Sequence, residues 1–340
     1  MVSKRLAGAT CAALIAGAVL GMTPAVASAA ALSGAGSTLV APIEAEWAAA
    51  WAQSTGNPAP TYQAVGSGTG LKDIGAGLVD FGASDAPLSA STTPCNGCFQ
   101  IPWALSATGV SWNVPGVHHL NLTGAVLAGI YLGKITNWSD PRIKKLNKGA
   151  HLPNLAITPI HRSDGSGDSY AFTDYLSSVS PTWRGQIGRA TKPAFPVGPG
   201  ASGNSGMVTL LQGTSGGIAY IAVSYLISHR MPAVAIKNRA GKYEVPNLRN
   251  IANAARTGHE AASGEIHIVN PPRRAKIGYP ISTFTYCILQ PTDPLGNGAL
   301  LQQFVKYALG PGQRFGPALD FVPLPKSIKS RDEAAANRIH

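Results

Sequence analysis

The stretch "LAITPIHRSDGSGDSYAFTDYLSSVSPTW", residues 155–183, decides the fold class. Its apolar start predicts a strand, the Asp-Gly-Ser-Gly run predicts a turn, and the apolar spacing that follows predicts a helix with Pro181 as its stop signal. The same order of strand, glycine turn and helix recurs in residues 31–56 and 60–89. Strands that alternate with helices in this way indicate an α/β architecture.

The remaining elements extend the same pattern. Residues 104–116 and 279–290 have the composition of strands, and residues 123–138 and 296–312 have the periodicity of helices. Residues 203–227 predict a helix, a turn and a strand, in that order. The 340 residues are enough for two domains, and no internal repeat or low-complexity linker divides them.

Residues 1–31 are expected to be a signal peptide. Lys4 and Arg5 precede an apolar run that is too short to span a membrane, and "AVASAAA" offers cleavage sites after Ala29 or Ala31. Cys11 lies at the start of the apolar run, which disfavours lipidation without excluding it. The mature chain is therefore expected to be exported and to be extracellular, periplasmic or attached to the cell surface.

The formal net charge is +11, and removal of the signal peptide lowers it by two. A basic balance attracts anions. Only 13% of the residues are charged, against about 25% in a typical domain. The two basic clusters, residues 142–148 and 271–276, are not interleaved with aromatic residues, so nucleic-acid binding is not expected.

Three cysteines follow the signal peptide. In an exported protein the isolated pair Cys95 and Cys98, in "PCNGC", favours a disulfide over a zinc half-site, since no second ligand pair follows. Pairing of either cysteine with Cys287 stays open, because the sequence does not fix the connectivity.

Three small-residue loops precede predicted helices: "GAGST" (34–38), "GSGTG" (66–70) and "DGSGDS" (164–169). Each alone is a good helix cap. Helix N-termini also expose N–H groups and partial positive charge, and glycine lets an anion approach the backbone. Three such loops, together with Arg162 and its planar fork of donors, indicate a shared anion site.

Motifs for catalysis are weak. The Walker A pattern is absent, and the glycine loops do not complete the dinucleotide fingerprint. The one G-x-S-x-G match, residues 213–217, follows a predicted helix and precedes a predicted strand, which reverses the order of a nucleophile elbow. The histidines, His118 and His119 included, show no ligand spacing. No enzyme activity, metal or cofactor is expected.

Several of these segments also resemble a known family. "GAGSTLVAP", "VGSGTGLKDIGAGLVDFGASDAPLS", "RSDGSGDSYAFTDYLSSVSPTW", "GNSG" and "YPISTFTYCIL" are similar to the phosphate-binding protein of the bacterial phosphate-specific ABC transporter, over about residues 32–324. The resemblance implies a two-lobed, type II periplasmic-binding-protein fold. Lobe 1 would comprise residues 32–105 and 277–340, and lobe 2 residues 106–276. A monomer would hold inorganic phosphate between the lobes and deliver it to the permease.

The resemblance also implies a set of phosphate-binding positions, namely Thr38, Leu39, Ser67, Asp85, Arg162, Ser166 and Gly167. Leu39 stands where the family often has an aromatic residue, but the contact would be its backbone N–H. Asp164 falls on a family position whose carboxylate supports the arginine. Hydroxyl and N–H groups would donate to the anion, and Asp85, an acceptor when ionised, would favour a protonated phosphate over sulfate.

Asp168 departs from the family pattern, which commonly has Thr there. A second carboxylate about 4 Å from the anion would cost about 4 kcal/mol at an effective dielectric constant near 20. Its side chain can instead point away in the first helical turn or pair with Arg162. Asp168 is therefore expected to lower the affinity or to shift the preferred protonation state. Another oxyanion or phosphorylated ligand, a secreted scavenger without a permease, and a secreted phosphomonoesterase remain the alternatives.

Overall fold

The computed structural model describes residue 1 and residues 31–89 and 92–340. The predicted signal peptide lies almost entirely outside these ranges. The described strands are β1 (Ser33–Gly36), β2 (Thr61–Gln63), β3 (Phe81–Ser84), β4 (Phe99–Asn113), β5 (Asn121–Leu122), β6 (Thr158–Arg162), β7 (Gly200–Ala201), β8 (Gly217–Ala222), β9 (Ala235–Lys237), β10 (Tyr243–Glu244) and β11 (Ser282–Leu289). The α/β architecture is confirmed.

The described helices are α1 (Ala41–Thr55), α2 (Ser67–Gly75), α3 (Gly124–Tyr131), α4 (Pro141–Leu146), α5 (Gly167–Val179), α6 (Pro181–Gln186), α7 (Gly203–Gly213), α8 (Val223–Ser228), α9 (Leu248–Ala255), α10 (Gly298–Leu309) and α11 (Lys326–Ala336). A 3₁₀ helix covers Pro311–Leu319. Within the described ranges, no helix is long and apolar enough to cross a membrane.

Eight strands form one mixed sheet in the order β2-β1-β3-β11-β4-β8-β6-β7. β4 lies at its centre and changes partner along its length. Phe99 to Ala107 pair with β11, and Thr108 to Asn113 pair with β8, both antiparallel. The sheet therefore has two halves, and one continuous strand belongs to both. A second sheet, β10-β9-β5, has three short strands.

β4 begins five residues before the predicted strand and includes Pro102. A proline has no N–H to give to the ladder, so it is tolerated in a sheet mainly at edges and bulges. Here the register shifts between Thr285 and Tyr286, directly opposite Pro102 and Ala104. The irregular pairing leaves room for the proline in a central strand.

Two aromatic clusters pack on the two halves of the sheet. On the half that contains β1, β3 and β11, Phe81 contacts Trp103 and Phe304 with ring centroids 5.6 and 5.8 Å apart, and Trp103 contacts Trp47 at 5.1 Å. These four side chains are essentially inaccessible to solvent. Each large aromatic ring that is buried contributes a few kcal/mol to the stability of this half.

On the half that contains β6 and β8, Tyr220 stacks on Phe172 at 4.4 Å, and Tyr131 contacts Phe172 edge-on at 4.8 Å. Phe195 completes this cluster, 6.0 Å from Tyr220. Each half of the sheet therefore has its own aromatic cluster, and both clusters belong to one continuous apolar core.

The end of one helix agrees with its prediction, and the end of one strand does not. α5 ends at Val179, as predicted from Pro181, and Ser180 then caps the next helix by accepting a hydrogen bond from the N–H of Trp183. The prediction that a strand continues to Ile227 was wrong, because β8 ends at Ala222 and α8 begins at Val223. A short apolar run does not distinguish a buried strand from a buried helix.

Candidate functional site

Four polar loops meet where the two halves of the sheet face each other. On the first half, one loop follows β1, one leads into α2 and one follows β3. On the second half, one loop connects β6 to α5. In open α/β sheets, ligands bind at the carboxyl ends of strands, and these loops occupy such positions. The loops carry every candidate binding residue, namely Thr38, Leu39, Ser67, Asp85, Arg162, Ser166 and Gly167.

The two halves touch through backbone atoms at this junction. The N–H of Gly68 donates to the carbonyl oxygen of Gly165 at 2.9 Å, and the N–H of Gly167 donates to Ser67 Oγ at 3.1 Å. A methyl group added to Gly167 would lie 2.4 Å from both Cβ and Oδ2 of Asp85. Only glycine permits this close approach, so the cleft between the halves is closed.

Asp85 follows β3, is 2% exposed and faces the loop from the other half. Its Oδ1 accepts hydrogen bonds from Thr285 Oγ1 at 2.6 Å and from Ser37 Oγ at 2.7 Å. Burial, followed by the nearby charge of Asp168, raises the pKa of Asp85 to about 7, against the opposing effects of these hydrogen bonds and of Arg162. The carboxyl group therefore changes its protonation state near neutral pH.

Arg162 ends β6 and is held by two carboxylates. Its Nε donates to Asp164 Oδ1 at 2.7 Å, its Nη2 donates to the other oxygen of Asp164, and its Nη1 donates to Asp168 Oδ2 at 3.1 Å. Burial opposes the positive charge, but the hydrogen bond from Asp164 and the charges of both carboxylates outweigh it and raise the pKa of Arg162. The guanidinium is therefore charged and fixed in one orientation.

Asp164 has the supporting contact with the arginine that was expected of it, and it also accepts a hydrogen bond from the N–H of Gly203 at 3.2 Å. Burial acts to raise its pKa, but the hydrogen bond and charge of Arg162 have the larger combined effect, and the pKa of Asp164 is lowered. This carboxylate is ionised at neutral pH.

Asp168 lies in the first turn of α5 and is 1% exposed. The pairing with Arg162 that the sequence left open is present, and two further donors reach the carboxylate. Thr108 Oγ1 donates to Oδ1 at 2.7 Å, and Asn204 Nδ2 donates to Oδ2 at 2.8 Å. Burial raises the pKa of Asp168, while Arg162, Thr108 and Asn204 act in the opposite direction.

The three candidate hydroxyls share one property, which is that each hydroxyl oxygen accepts a hydrogen bond. Thr38 Oγ1 accepts from Asn204 Nδ2 at 2.8 Å, Ser67 Oγ accepts from the N–H of Gly167 at 3.1 Å, and Ser166 Oγ accepts from the N–H of Ser169 at 3.3 Å. A hydroxyl also has one hydrogen to donate. These three hydrogens can therefore be directed at a bound acceptor such as an oxyanion.

The backbone N–H of Leu39 has a partner within the chain, since it donates to Ser37 Oγ at 3.0 Å. Ser166 is the N-cap of α5, as the loop sequence indicated. The N–H groups of the first turn of α5 therefore lie beside Arg162 and Asp85, and a helix N-terminus favours negative charge there.

Four supporting residues were not predicted from the sequence, namely Ser37, Thr108, Asn204 and Thr285. Thr108 and Thr285 lie in strands whose residues are almost all buried. A hydroxyl within an apolar strand is the one sequence signal that could have indicated a supporting role for them. Asn204 belongs to the "GNSG" segment, which resembles the family, but its supporting role does not follow from the sequence. Ser37 is part of the first glycine loop.

The remaining candidate residues lie away from this junction. Cys95 and Cys98 form a disulfide with a Cα–Cα distance of 5.3 Å, and Cys287 is a buried free thiol. His118 and His119 are exposed. Within the described ranges, no group of three or more His, Cys, Asp or Glu side chains is arranged to hold a metal ion.

Comparison with known proteins extends these observations. The chain matches the PBP superfamily domain over residues 23–311. It is 34% identical over 307 residues to the phosphate-binding protein PstS of Xylella fastidiosa (strain 9a5c), a match that covers 89% of this chain and 84% of that protein. The phosphate-binding protein PstS of Pasteurella multocida (strain Pm70) is 32% identical over 308 residues and is matched over 89% of each chain.

A crystal structure of a phosphate binding protein from Stenotrophomonas maltophilia superposes with a TM-score of 0.70 over 90% of this chain and 94% of that chain, at 20% identity. At this identity the likeness concerns the fold alone, and it confirms the two-lobed, type II periplasmic-binding-protein architecture. The family model covers most of the chain, and the two relatives exceed 30% identity over nearly all of it. The chain therefore belongs to the phosphate-binding protein family within the PBP superfamily.

Proposed function

We propose that this protein binds inorganic phosphate in the cleft between its two lobes. The observation that carries the proposal is Asp85, a fully buried carboxyl group at the point where hydroxyls, helix N–H groups and a guanidinium converge. A buried carboxylate beside an anion site would be repulsive toward a fully ionised anion. It becomes favourable when the anion brings a proton for it to accept.

The donors suit a dehydrated tetrahedral anion. Thr38 and Ser67 would donate their hydroxyl hydrogens from the first lobe, and Ser166 would donate its hydroxyl hydrogen from the second lobe. Arg162 would balance the charge of the anion at a fixed position. Hydrogen bonds to charged groups contribute about 1.5–3 kcal/mol each, so a few of them support tight binding.

The carboxylate of Asp85 would favour a ligand that carries a proton. Its Oδ1 is occupied by Ser37 and Thr285, whereas Oδ2 also faces the glycine loop at Gly167. The P–OH group of a phosphate would donate to this carboxylate. Sulfate carries no proton at neutral pH and would place an unpaired oxygen against it, so phosphate would be preferred.

We infer that the chain moves as two lobes that close around the ligand. The proposed lobes are residues 32–105 with 277–340, and residues 106–276. The change of β4 partner between Ala107 and Thr108 supports a boundary close to residue 105. The two aromatic clusters, one for each half of the sheet, also support this division. Residues 263–266 hydrogen-bond to Gln100 and Tyr286 of the first lobe, so part of the predicted second lobe packs on the first.

We also propose that the protein is exported, acts as a monomer and delivers phosphate to an ABC permease without catalysis. The relatives named phosphate-binding protein PstS support a transport role. Incubation with a chromogenic phosphate ester tests the catalytic alternative, and steady release of the chromophore would contradict binding without turnover. The mass of the mature N-terminus tests the signal peptide and separates a free protein from a lipidated one.

Asp168 favours a second candidate, a preference for another oxyanion or for a phosphorylated molecule. Two carboxylates, the buried Asp168 and the partly buried Asp164, pair with one guanidinium here, which makes the site less favourable for a dianion. Calorimetric titration of phosphate-stripped protein with phosphate, sulfate, arsenate and a phosphate ester separates the candidates. Tight binding of phosphate with at least 100-fold weaker binding of sulfate at pH 8 is expected. Stronger binding of sulfate or of the ester would contradict the first proposal.

A further inference from the structure

Asn204 occupies the second position of α7, is fully buried, and uses every hydrogen-bonding group of its carboxamide. Its Nδ2 donates to Thr38 Oγ1 and to Asp168 Oδ2, both at 2.8 Å. Its Oδ1 accepts from the N–H of Ala222 at 2.8 Å. Since Ala222 ends β8, the carboxamide is anchored in the second lobe and reaches Thr38 in the first.

The bond to Thr38 fixes the direction in which that hydroxyl donates. A hydroxyl has one hydrogen and two lone pairs, and the Nδ2 group of asparagine can only donate. Thr38 Oγ1 must therefore act as the acceptor toward Asn204. Its hydrogen is left for a bound oxyanion, and a binding group oriented in advance loses less entropy when the ligand arrives.

The second N–H of the same amide acts on Asp168. Oδ2 of this carboxylate accepts from Asn204 and from Arg162, while Oδ1 accepts from Thr108. These donors satisfy both oxygens within the protein. The carboxylate is thereby held toward Arg162, and its repulsion of a bound anion is reduced by the donors around it.

We propose that Asn204 is a positioning residue for oxyanion binding, which orients the Thr38 hydroxyl and fixes Asp168 against Arg162 as the lobes close. The inference rests on the proposed function, since Asn204 acts through residues that are expected to touch the ligand. The bond from Asn204 to Thr38 joins the two proposed lobes, so it would break when they separate. It therefore favours the closed state and slows release of the ligand.

The first test is Asn204→Asp, which keeps the size of the side chain and an acceptor for Ala222 but removes both donors. Phosphate affinity is expected to fall about 10- to 100-fold at pH 8, with most of the effect in a faster dissociation rate. At pH 5 the introduced carboxyl group can be protonated and can donate again, so part of the loss should be recovered. An equal loss at both pH values would contradict the proposal.

A double-mutant cycle provides a second test that does not depend on one variant. Thr38→Val removes the hydroxyl, and Asn204→Ala removes the amide. If Asn204 acts through Thr38, the fold-losses of the two single variants should not multiply in the double variant. Losses that multiply would show that Asn204 acts independently of the hydroxyl, and the proposal would be wrong.

Asn113 is the matched control. Its Nδ2 donates to the carbonyl oxygens of Leu211 and Gln212, so it holds the other end of the same helix. Asn113→Ala should change phosphate affinity less than 2-fold, whereas an effect equal to that of Asn204→Ala would show that Asn204 acts only by holding the helix in place.

Wild type is first titrated with phosphate, sulfate and arsenate. If sulfate or arsenate binds and phosphate does not, the proposed function fails, and the variants are compared with the anion that binds. If none of the three binds, both proposals are overturned.

Discussion

Ser37 Oγ lies 2.7 Å from each of the two carboxylate oxygens of Asp85. The hydroxyl therefore contacts both oxygens, and Thr285 Oγ1 donates a second hydrogen bond to Oδ1 at 2.6 Å. These hydrogen bonds hold the carboxyl group of Asp85 in one orientation. The role proposed for Asp85 in anion specificity therefore depends on Ser37 and Thr285 as well as on its own charge.

Asp85→Asn should weaken phosphate binding about 30- to 1,000-fold at pH 8, because an acceptor for the ligand proton is replaced by an amide that can turn a donor toward it. Sulfate binding should fall much less or increase, since the repulsion is removed. Competition titration of the variant with both anions measures the change in preference. An unchanged ratio of the two affinities would exclude Asp85 as the specificity element.

The same carboxyl group gives the wild type a pH-dependent preference. Asp85 has a pKa of about 7 in the closed protein, so it is increasingly protonated and able to donate as the pH falls below 7. Sulfate should therefore compete better at pH 5 than at pH 8. Competition measured at intervals across this range, with Asp85→Asn as the control that lacks the transition, tests the assignment.

Gly167→Ala should prevent the lobes from closing, because the added methyl group would lie 2.4 Å from Asp85 Cβ and Oδ2. Opening of the proposed lobes would separate Gly167 from Asp85 and remove the clash, so the melting temperature of the ligand-free protein should change by less than about 2 °C. The rise in melting temperature on phosphate addition should be lost. Gly185→Ala is the control, since its methyl group would meet no atom within 4 Å. A normal phosphate response in Gly167→Ala would contradict this account of closure.

Asp168→Asn should strengthen binding of the phosphate dianion about 10-fold at pH 8, because one negative charge is removed from the site. The hydrogen bonds can persist, since the Thr108 hydroxyl can reverse and accept from the new amide while the remaining oxygen still faces Arg162. At pH 5, where the ligand is a monoanion, the gain should be smaller. Titration at both values checks this, and weaker binding at pH 8 would show that Asp168 supports the ligand.

Glu44→Gln should stabilise the protein at high pH. Glu44 is 2% exposed, its Oε1 has no hydrogen-bond partner, and burial raises its pKa to about 8. Because the folded state holds the proton more tightly than the unfolded state, the stability of the wild type falls as the pH rises from about 4.5 to 8. The variant should gain about 1–3 kcal/mol at pH 9 and nothing at pH 5. Urea unfolding measures this, with the exposed Glu46→Gln on the same helix as control.

His267→Ala should reduce stability more at pH 5.5 than at pH 8. His267 Nε2 lies 2.8 Å from Asp174 Oδ2, and this hydrogen bond raises the pKa of the imidazole against the effects of burial and of Arg189. The stabilisation is complete below the unfolded pKa near 6.5 and is lost as the pH rises through the folded value. About half of the side chain is exposed, so a difference of about 0.5 kcal/mol is expected. Urea unfolding at both pH values measures this difference, with the exposed His118→Ala as the control variant.

The sequence was sufficient for the elements that depend on local signals. Glycine turns, cap residues and Pro181 place the boundaries of α1, α2 and α5 because each acts on its own neighbours in the chain. The contacts that hold the site together are long-range. Asn204 reaches Thr38 across 166 residues, and Thr285 reaches Asp85 across 200. Periodicity and composition carry no information about such pairs, so these supports could not be predicted, and ligand contacts at the candidate residues stay predictions.

β4 has a consequence for the order in which the chain folds. Its second part pairs with β8, and its first part pairs with β11, which begins only at Ser282. With the proposed boundaries, the second lobe is one continuous segment, whereas the first lobe is incomplete until the last fifth of the chain is available. Because contacts distant in sequence form more slowly, the second lobe is expected to fold first and to present the edge of β4 as a template for the first. Truncation before Ser282 would then leave one folded lobe with an unpaired strand, and such an edge favours aggregation.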